Sequence, residues 1–236
     1  MIKSLPLSNT IKHEKFAESE EFQFFLKPEL RNTTTLSDSE YLEFLQELEV
    51  WEAPKYIQEG FAYKFTGYDL QNRPIWVSSA RNCPIRKVIE SHEEEILEKY
   101  VWQAARCIVK SIFEKSREEN PSRLAVFVVN AEGLSLFQFM HARTLAVFFK
   151  YAKKYKDVVQ TVMALGVIIN ANRVCLWILN LLRPILYGAF ERIEVYGSDE
   201  SLWGPRVREI FGSDFIPSFA GDYHCFPQVC NDLQKN

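Results

Sequence analysis

From Gly166 to Gly197 the chain runs GVIINANRVCLWILNLLRPILYGAFERIEVYG. The run Gly166–Asn170 is β-branched and typical of an interior strand. Between Val174 and Leu182 the only clearly polar residue is Asn180, so this segment predicts a helix that lacks the polar face of a surface helix. Nine residues rise only about 14 Å, too little to cross a bilayer core of about 30 Å. The stretch therefore predicts a strand, a short apolar helix, a turn and a second strand.

Two interpretations of the apolar helix remain open at this point. Burying one Leu or Ile side chain contributes about 1.5–3 kcal/mol, so a stable protein does not leave seven large apolar side chains in water. The helix is either an ordinary core helix or a door over a cavity for an apolar ligand. The spacing of its residues does not separate the two.

The order of motifs in and after this helix resembles a known family. Asn170 precedes the helix, Arg183–Leu186 ends it, and Glu191–Ile193 and Val195–Gly197 follow. This pattern resembles the signature half of the CRAL-TRIO lipid-binding family, which includes retinaldehyde-binding, α-tocopherol transfer and phosphatidylinositol transfer proteins. The resemblance implies an α/β fold with a mostly parallel sheet, flanking helices and a gate helix.

Strands and helices alternate from residue 61 onward, which independently favours an α/β domain. Residues 61–77 predict a hairpin with turn conformations at Gly67 and Asn72. The segment 124–130, LAVFVVN, predicts a buried central strand. Phe215–Asp222 resembles the closing motif of the family.

The first part of the chain predicts a separate helical unit. Pro28 is expected to interrupt or end a first helix, and residues 37–40 supply caps for a second. The pair resembles a shortened form of the module that precedes a CRAL-TRIO lobe. We therefore expect a reduced helical module over residues 1–56 and a lipid-binding lobe over residues 57–236.

Two longer helices are predicted within the lobe. Ser91 is a candidate cap for a helix from His92 to Lys115, with acidic residues in its first turn. Residues 137–156 predict another helix with four lysines near its end. These lysines form either a solvated face or a surface attracted to anionic lipid.

Composition limits the class of protein. With 236 residues, 47 % of them hydrophobic, the chain can fill one domain core. Its net charge of −3 excludes the basic density of a nucleic-acid binder. Five scattered cysteines predict reduced thiols, and neither a signal peptide nor a transmembrane run is evident. We expect a monomeric cytoplasmic protein, peripherally associated with membranes.

Catalytic and metal-binding motifs are missing from the sequence. It contains no nucleophile elbow, dinucleotide fingerprint or P-loop. The four histidines (His13, His92, His141 and His224) lack metal-ligand spacing. We expect no enzyme activity, no metal and no cofactor, apart from a bound hydrophobic molecule as cargo.

The resemblance implies a ligand pocket between the sheet and the gate helix. Side chains alternate along a strand, so Phe127 and Val129 point to one side, and the inner stripe of the helix repeats every three or four residues. The alternative is that these residues pack a dry core. The predicted pocket residues are Phe127, Val129, Ile168, Cys175, Ile178, Leu179 and Leu182.

The family carries a basic residue near the lipid headgroup or a phosphoinositide at the position of Arg192, and Lys27 matches a basic residue of its helical module. Both are candidate headgroup or phosphate contacts, and an ordinary solvated charge is the alternative for each. Trp177 and Leu181 are the predicted membrane contacts of the open helix. Val159–Thr161 replaces the Tyr-Pro-Glu of phosphatidylinositol-binding members, and Asn172 replaces the usual proline. Both departures favour a small hydrophobic lipid over an inositol phospholipid.

The predicted function is a carrier that holds one retinoid-, tocopherol-, carotenoid- or phospholipid-like ligand and exchanges it at membranes, where it can also meet a phosphoinositide. One alternative is a regulatory or scaffold module that senses lipid without transferring it. The other is a hydrolase or transferase on an α/β fold.

Overall fold

The computed structural model describes residues 16–81, 83–115 and 118–212. The closing motif Phe215–Asp222, together with His13, His224, Cys225 and Cys230, lies outside the described residues. No helix within the described ranges is both long and apolar enough to cross a membrane.

In the part of the chain that the structure describes, four helices precede the sheet: α1 (Glu20–Phe25), α2 (Pro28–Arg31), α3 (Asp38–Val50) and α4 (Lys55–Gly60). Pro28 does not simply end a helix, because it occupies the first turn of α2, where its missing N–H costs nothing. Ser37 and Glu40 form a capping box at the start of α3, in which each side chain accepts a hydrogen bond from the other's backbone N–H. The helices pack through a buried aromatic and aliphatic cluster that also includes Trp102.

The predicted boundary after residue 56 falls inside α4. Ile57 on this helix is fully buried and belongs to one cluster with Val88, Leu97 and Tyr100 from the following part of the chain. The same cluster includes Ala53 and Trp51 from before α4, so the division into a helical module and a lobe stays a prediction.

The lobe contains a five-stranded sheet in the order β1-β2-β3-β4-β5. The first pair is an antiparallel hairpin and the other three pairings are parallel, which confirms the predicted mostly parallel α/β fold. The bounds are β1 (Tyr63–Tyr68), β2 (Pro74–Ser79), β3 (Ala125–Asn130), β4 (Met163–Ile169) and β5 (Ile193–Val195).

The hairpin turn has the backbone conformations predicted for it. Gly67 and Asn72 both have positive φ, at 119° and 56°. Asp69 accepts hydrogen bonds from the backbone N–H groups of Gln71 and Arg73 and pairs with the Arg73 guanidinium at 2.6 Å. Arg73 thus stabilises the turn.

Seven helices complete the described lobe: α5 (Ile85–Glu90), α6 (Glu94–Glu114), α7 (Leu136–Phe139), α8 (Ala142–Val162), α9 (Arg173–Leu182), α10 (Tyr187–Phe190) and α11 (Glu200–Phe211). The prediction that Ser91 caps the long helix is wrong. Ser91 is the C-cap of α5, His92 has a positive φ of 58°, and α6 begins after Glu93. The predicted helix 137–156 is divided into α7 and α8.

Different helices pack on the two faces of the sheet. Trp203, Val207 and Ile210 of α11 pack on one face, which carries alternate residues of β2, β3 and β4. On the opposite face, Cys107 and Ile112 of α6 pack against Trp76 and Ala125. Phe127, two residues beyond Ala125, lies on this second face as well.

The prediction of reduced thiols holds for two cysteines and is wrong for a third. Cys83 and Cys175 are free, whereas Cys107 on α6 is disulfide-bonded.

Candidate functional site

An apolar cavity of about 210 Å³ lies where α6 and α8 cross the second face of the sheet. Phe127 of β3 lines its sheet side and Leu30 of α2 lines the side of the helical module. Val101, which is 42 % exposed, brings the cavity close to the surface. The other lining residues are Trp102, Ala104, Ala105, Ile108, Val109, Tyr155, Val158, Val159 and Val162.

The cavity exists because small and β-branched side chains face each other across two long helices. Ala104 and Ala105 on α6 lie opposite a wall that contains Val158 and Val159 of α8. Alanine leaves space that a longer side chain would fill, and a valine side chain is too short to extend into it. An apolar void of this kind excludes water and suits an apolar ligand.

The few polar atoms of the lining already have hydrogen-bond partners within the protein. The Tyr155 hydroxyl donates to Glu98 at 2.5 Å and also interacts with the side chain of Trp102. Burial and the Glu98 hydrogen bond raise the pKa of Tyr155, so this hydroxyl stays neutral. The cavity wall therefore presents hydrocarbon to any molecule inside it.

Hydrogen bonds between polar groups connect α6 to α8 at the edge of the cavity. Glu98 accepts hydrogen bonds from Lys154 and Tyr155, and Tyr151 donates to the backbone oxygen of Glu94. Burial alone would raise the pKa of Glu98, but the hydrogen bonds from Lys154 and Tyr155 hold it below its ordinary value. The carboxylate is thus ionised at neutral pH and paired, which stabilises the packing of the two helices beside the cavity.

The apolar helix predicted from the sequence is α9, and its faces are distributed as the spacing indicates. Cys175, Ile178 and Leu182 are buried, and Leu179 and Leu181 are half-buried. Trp177 is 39 % exposed on the outer face. The inner side packs in a cluster with Phe139, Phe148 and Phe149, next to α8.

The predicted pocket residues thus fall into two groups. Phe127 lines the 210 Å³ cavity, and Val129 and Ile168 are paired neighbours on the same sheet face. Cys175, Ile178, Leu179 and Leu182 of α9 do not line this cavity. Their role as ligand contacts remains a prediction. The α6 and α8 lining was not predicted. The adjacent alanines 104 and 105 are its trace in the sequence, and they indicate a cavity only once the facing helix is known.

Asn172, which departs from the family pattern, has a clear structural role. Its side-chain oxygen accepts a hydrogen bond from the backbone N–H of Cys175 at 3.0 Å, and its side-chain nitrogen donates to the Leu134 carbonyl at 2.8 Å. It is therefore the N-cap of α9 and also anchors that helix to the loop before α7.

Asn172→Ala is expected to loosen the first turn of α9. Losing an N-cap costs about 1 kcal/mol, so amide hydrogen exchange at Cys175 and Leu176 should accelerate about fivefold. Asn180→Ala is the matched control, because Asn180 is exposed on the same helix. Equal exchange in both variants would contradict the capping role.

The two predicted basic contacts have partners within the protein. Lys27 lies with its ammonium 4.1 Å from the ring centre of Phe24. Arg192 donates to the backbone oxygens of Gln160 and Met163, which connects the start of β5 to the junction of α8 and β4. A headgroup role for either residue remains a prediction.

Two observations on the described residues concern the catalytic alternative. No group of three or more possible metal ligands occurs within the described ranges. A second cavity of about 220 Å³ lies near Cys83, Ser135 and Gln138. Burial raises the pKa of Cys83 to about 11, so its thiol stays protonated and is a poor nucleophile.

The fold and cavity define an α/β domain built around an apolar space, preceded by helices. The model of the CRAL/TRIO domain matches residues 58–221, and the chain belongs to this family. Proteins of this family generally bind or transfer lipids and are not enzymes.

The fold is also similar to that in the crystal structure of Sfh5. The match has a TM-score of 0.54 and 11 % sequence identity, and it covers 99 % of this chain and 84 % of that chain. At this identity the similarity concerns the fold alone. No curated protein matches the chain.

Proposed function

We propose that the protein carries one hydrophobic molecule in the cavity between α6, α8 and β3 and exchanges it at membranes. The observation that carries this proposal is a void bounded by apolar side chains whose few polar atoms are already hydrogen-bonded. Burial of apolar ligand surface is then the main source of affinity.

The size of the cavity bears on how a lipid fits. An engineered apolar cavity of about 150 Å³ binds one benzene molecule. At about 210 Å³, the present cavity accommodates a ring or a short hydrocarbon segment. A whole retinoid- or tocopherol-like molecule requires the surrounding elements to move outward, so the proposal includes an expansion of the cavity when the ligand binds.

The position of Val159 favours a wholly apolar ligand segment. Phosphatidylinositol-binding relatives carry Tyr-Pro-Glu at the place occupied here by Val159–Thr161. In this chain Val159 lines the cavity, and the backbone oxygen of Gln160 is bonded to Arg192. With no headgroup carboxylate there, the proposed cargo is a small hydrophobic lipid.

In this proposal α9, which packs against Phe148 and Phe149 of α8 but does not line the cavity, opens at the membrane and frees α8 to move away from α6. Its outer residue Trp177 and the half-buried Leu181 enter the membrane interface. Contacts with lipid there replace the contacts with protein side chains that α9 loses as it opens. The cost of opening is thereby kept small. The exposed helix end at Arg183 would lie near the headgroups.

The double variant Trp177→Ala/Leu181→Ala is expected to slow ligand transfer between donor and acceptor vesicles about tenfold while changing equilibrium ligand affinity less than about twofold. Leu202→Ala is the control, since Leu202 is exposed on α11, which covers the other sheet face. Equal losses of transfer and affinity would contradict the door model. Binding without any transfer by the wild type would favour a lipid sensor.

A further inference from the structure

We infer that the segment 134–140, which contains α7, is a second membrane anchor and forms with α9 one docking surface for anionic phospholipid bilayers. This inference rests on the proposed exchange at membranes and adds the site of contact and the class of lipid.

The first observation is the exposure of large apolar side chains on this short segment. Phe137 is 61 % exposed and Met140 is 72 % exposed, and Leu136 beside them is exposed as well. Three exposed apolar residues thus occur within five positions, next to the exposed Trp177 and Leu176 of α9. Contiguous exposed apolar side chains of this kind mark an interaction surface, whereas single ones are common on any protein.

The second observation is that the segment is firmly held with these residues outward. Phe139 is buried and packs in the same cluster as Ile178 and Leu182 of α9, so the two elements are neighbours. The Leu134 carbonyl accepts the hydrogen bond from Asn172, the N-cap of α9. The outer faces of the segment and of α9 therefore lie side by side on the surface.

The exposed ring of Phe137 is also held in one orientation by neighbouring residues. The guanidinium carbon of Arg86 lies 4.2 Å from the ring centre, and the backbone N–H of Arg86 donates to the side chain of Gln138 at 3.2 Å. A cation on an aromatic face stabilises its orientation. A solvent-exposed ring held in this way is preorganised for insertion.

The third observation is the charge around the surface. The ranges 133–156 and 173–190 contain no Asp or Glu. Lys150 and Lys153 lie on α8 beside the cluster that supports the surface, are exposed, and have no carboxylate partner among the described residues. Arg173 and Arg183 at the ends of α9 are exposed too.

Two carboxylates that border this surface are neutralised. Glu90 pairs with Arg86 at 2.8 Å, and Glu132 pairs with Arg81 at 2.5 Å. Apolar side chains surrounded by basic ones without carboxylate partners are typical of elements that lie in the interface of an anionic membrane.

The test uses the full chain and its partition onto vesicles of phosphatidylcholine, with and without phosphatidylserine. Phe137→Ser/Met140→Ser should weaken partition onto phosphatidylserine vesicles about tenfold or more. Leu70→Ser/Leu202→Ser is the matched control, because both residues are highly exposed on other parts of the fold. Lys150→Glu/Lys153→Glu should remove most of the gain from phosphatidylserine.

Partition of Phe137→Ser/Met140→Ser equal to that of the wild type would overturn the anchor and leave the surface to a protein partner. Equal wild-type partition onto both kinds of vesicle would overturn the requirement for anionic lipid. If the wild type binds neither vesicle, exchange at membranes itself fails. Ligand content after extraction separates the cavity from this surface, since the anchor variant should retain the wild-type amount.

Discussion

Arg106→Ala should lower the free energy of unfolding by about 3–5 kcal/mol, because removing one partner of a buried ion pair leaves an uncompensated charge. Arg106 lies on α6, is only 3 % exposed, and pairs with Glu21 of α1 and with Glu49 of α3. Its guanidinium also covers the ring of Phe16 at 4.2 Å. Burial lowers the pKa of Arg106. Its ion pairs with Glu21 and Glu49 offset the cost of burying the charge. Removing the arginine leaves Glu21 without its partner in the interface between the helical module and the lobe.

Lys99→Ala is the matched control for this prediction. Lys99 lies on the same helix and pairs with Glu47 of α3 at 2.5 Å, but it is more exposed than Arg106. An exposed pair contributes at most about 1 kcal/mol. Urea unfolding of both variants gives the comparison, and similar losses would contradict the structural role of Arg106. The triple variant Arg106→Met/Glu21→Gln/Glu49→Gln should recover most of the loss, because it leaves no unpaired buried charge.

Ala105→Phe should reduce the amount of ligand bound to the purified protein at least about tenfold. Ala105 lines the cavity from α6, so a phenyl ring at this position occupies the space that the ligand needs. The protein should remain folded, because the added ring fills an existing void instead of displacing packed side chains.

Ala146→Phe is the control for cavity filling. Ala146 is exposed on α8, so the same substitution adds a ring without entering the cavity. Extraction and quantification of bound lipid per protein measures the effect. Unchanged ligand content in Ala105→Phe would show that the ligand lies elsewhere, for example beneath α9.

Local patterns in the sequence were sufficient for much of the fold. The β-branched runs predicted β3 and β4, and the three-and-four spacing separated the buried Cys175, Ile178 and Leu182 from the exposed Trp177. The type of an element and its buried face follow from the spacing of apolar residues along that element, and this spacing can be read from a single sequence.

Features that depend on distant segments were not predicted. The cavity results from the spacing between α6 and α8, and alanines 104 and 105 look like ordinary helix residues until a second helix faces them. The burial of Arg106 requires carboxylates more than fifty residues away in the chain. Ser91 satisfies the local rule for a helix cap, but it ends α5 instead, because a short helix precedes it.

Native mass spectrometry of the purified full chain, followed by extraction of any bound molecule, tests the central claim most directly. We expect one hydrophobic molecule per protein, with the complex depleted in Ala105→Phe and retained in Ala146→Phe. A wild-type protein that stays free of ligand after incubation with vesicles, retinoids and tocopherol would contradict the carrier function.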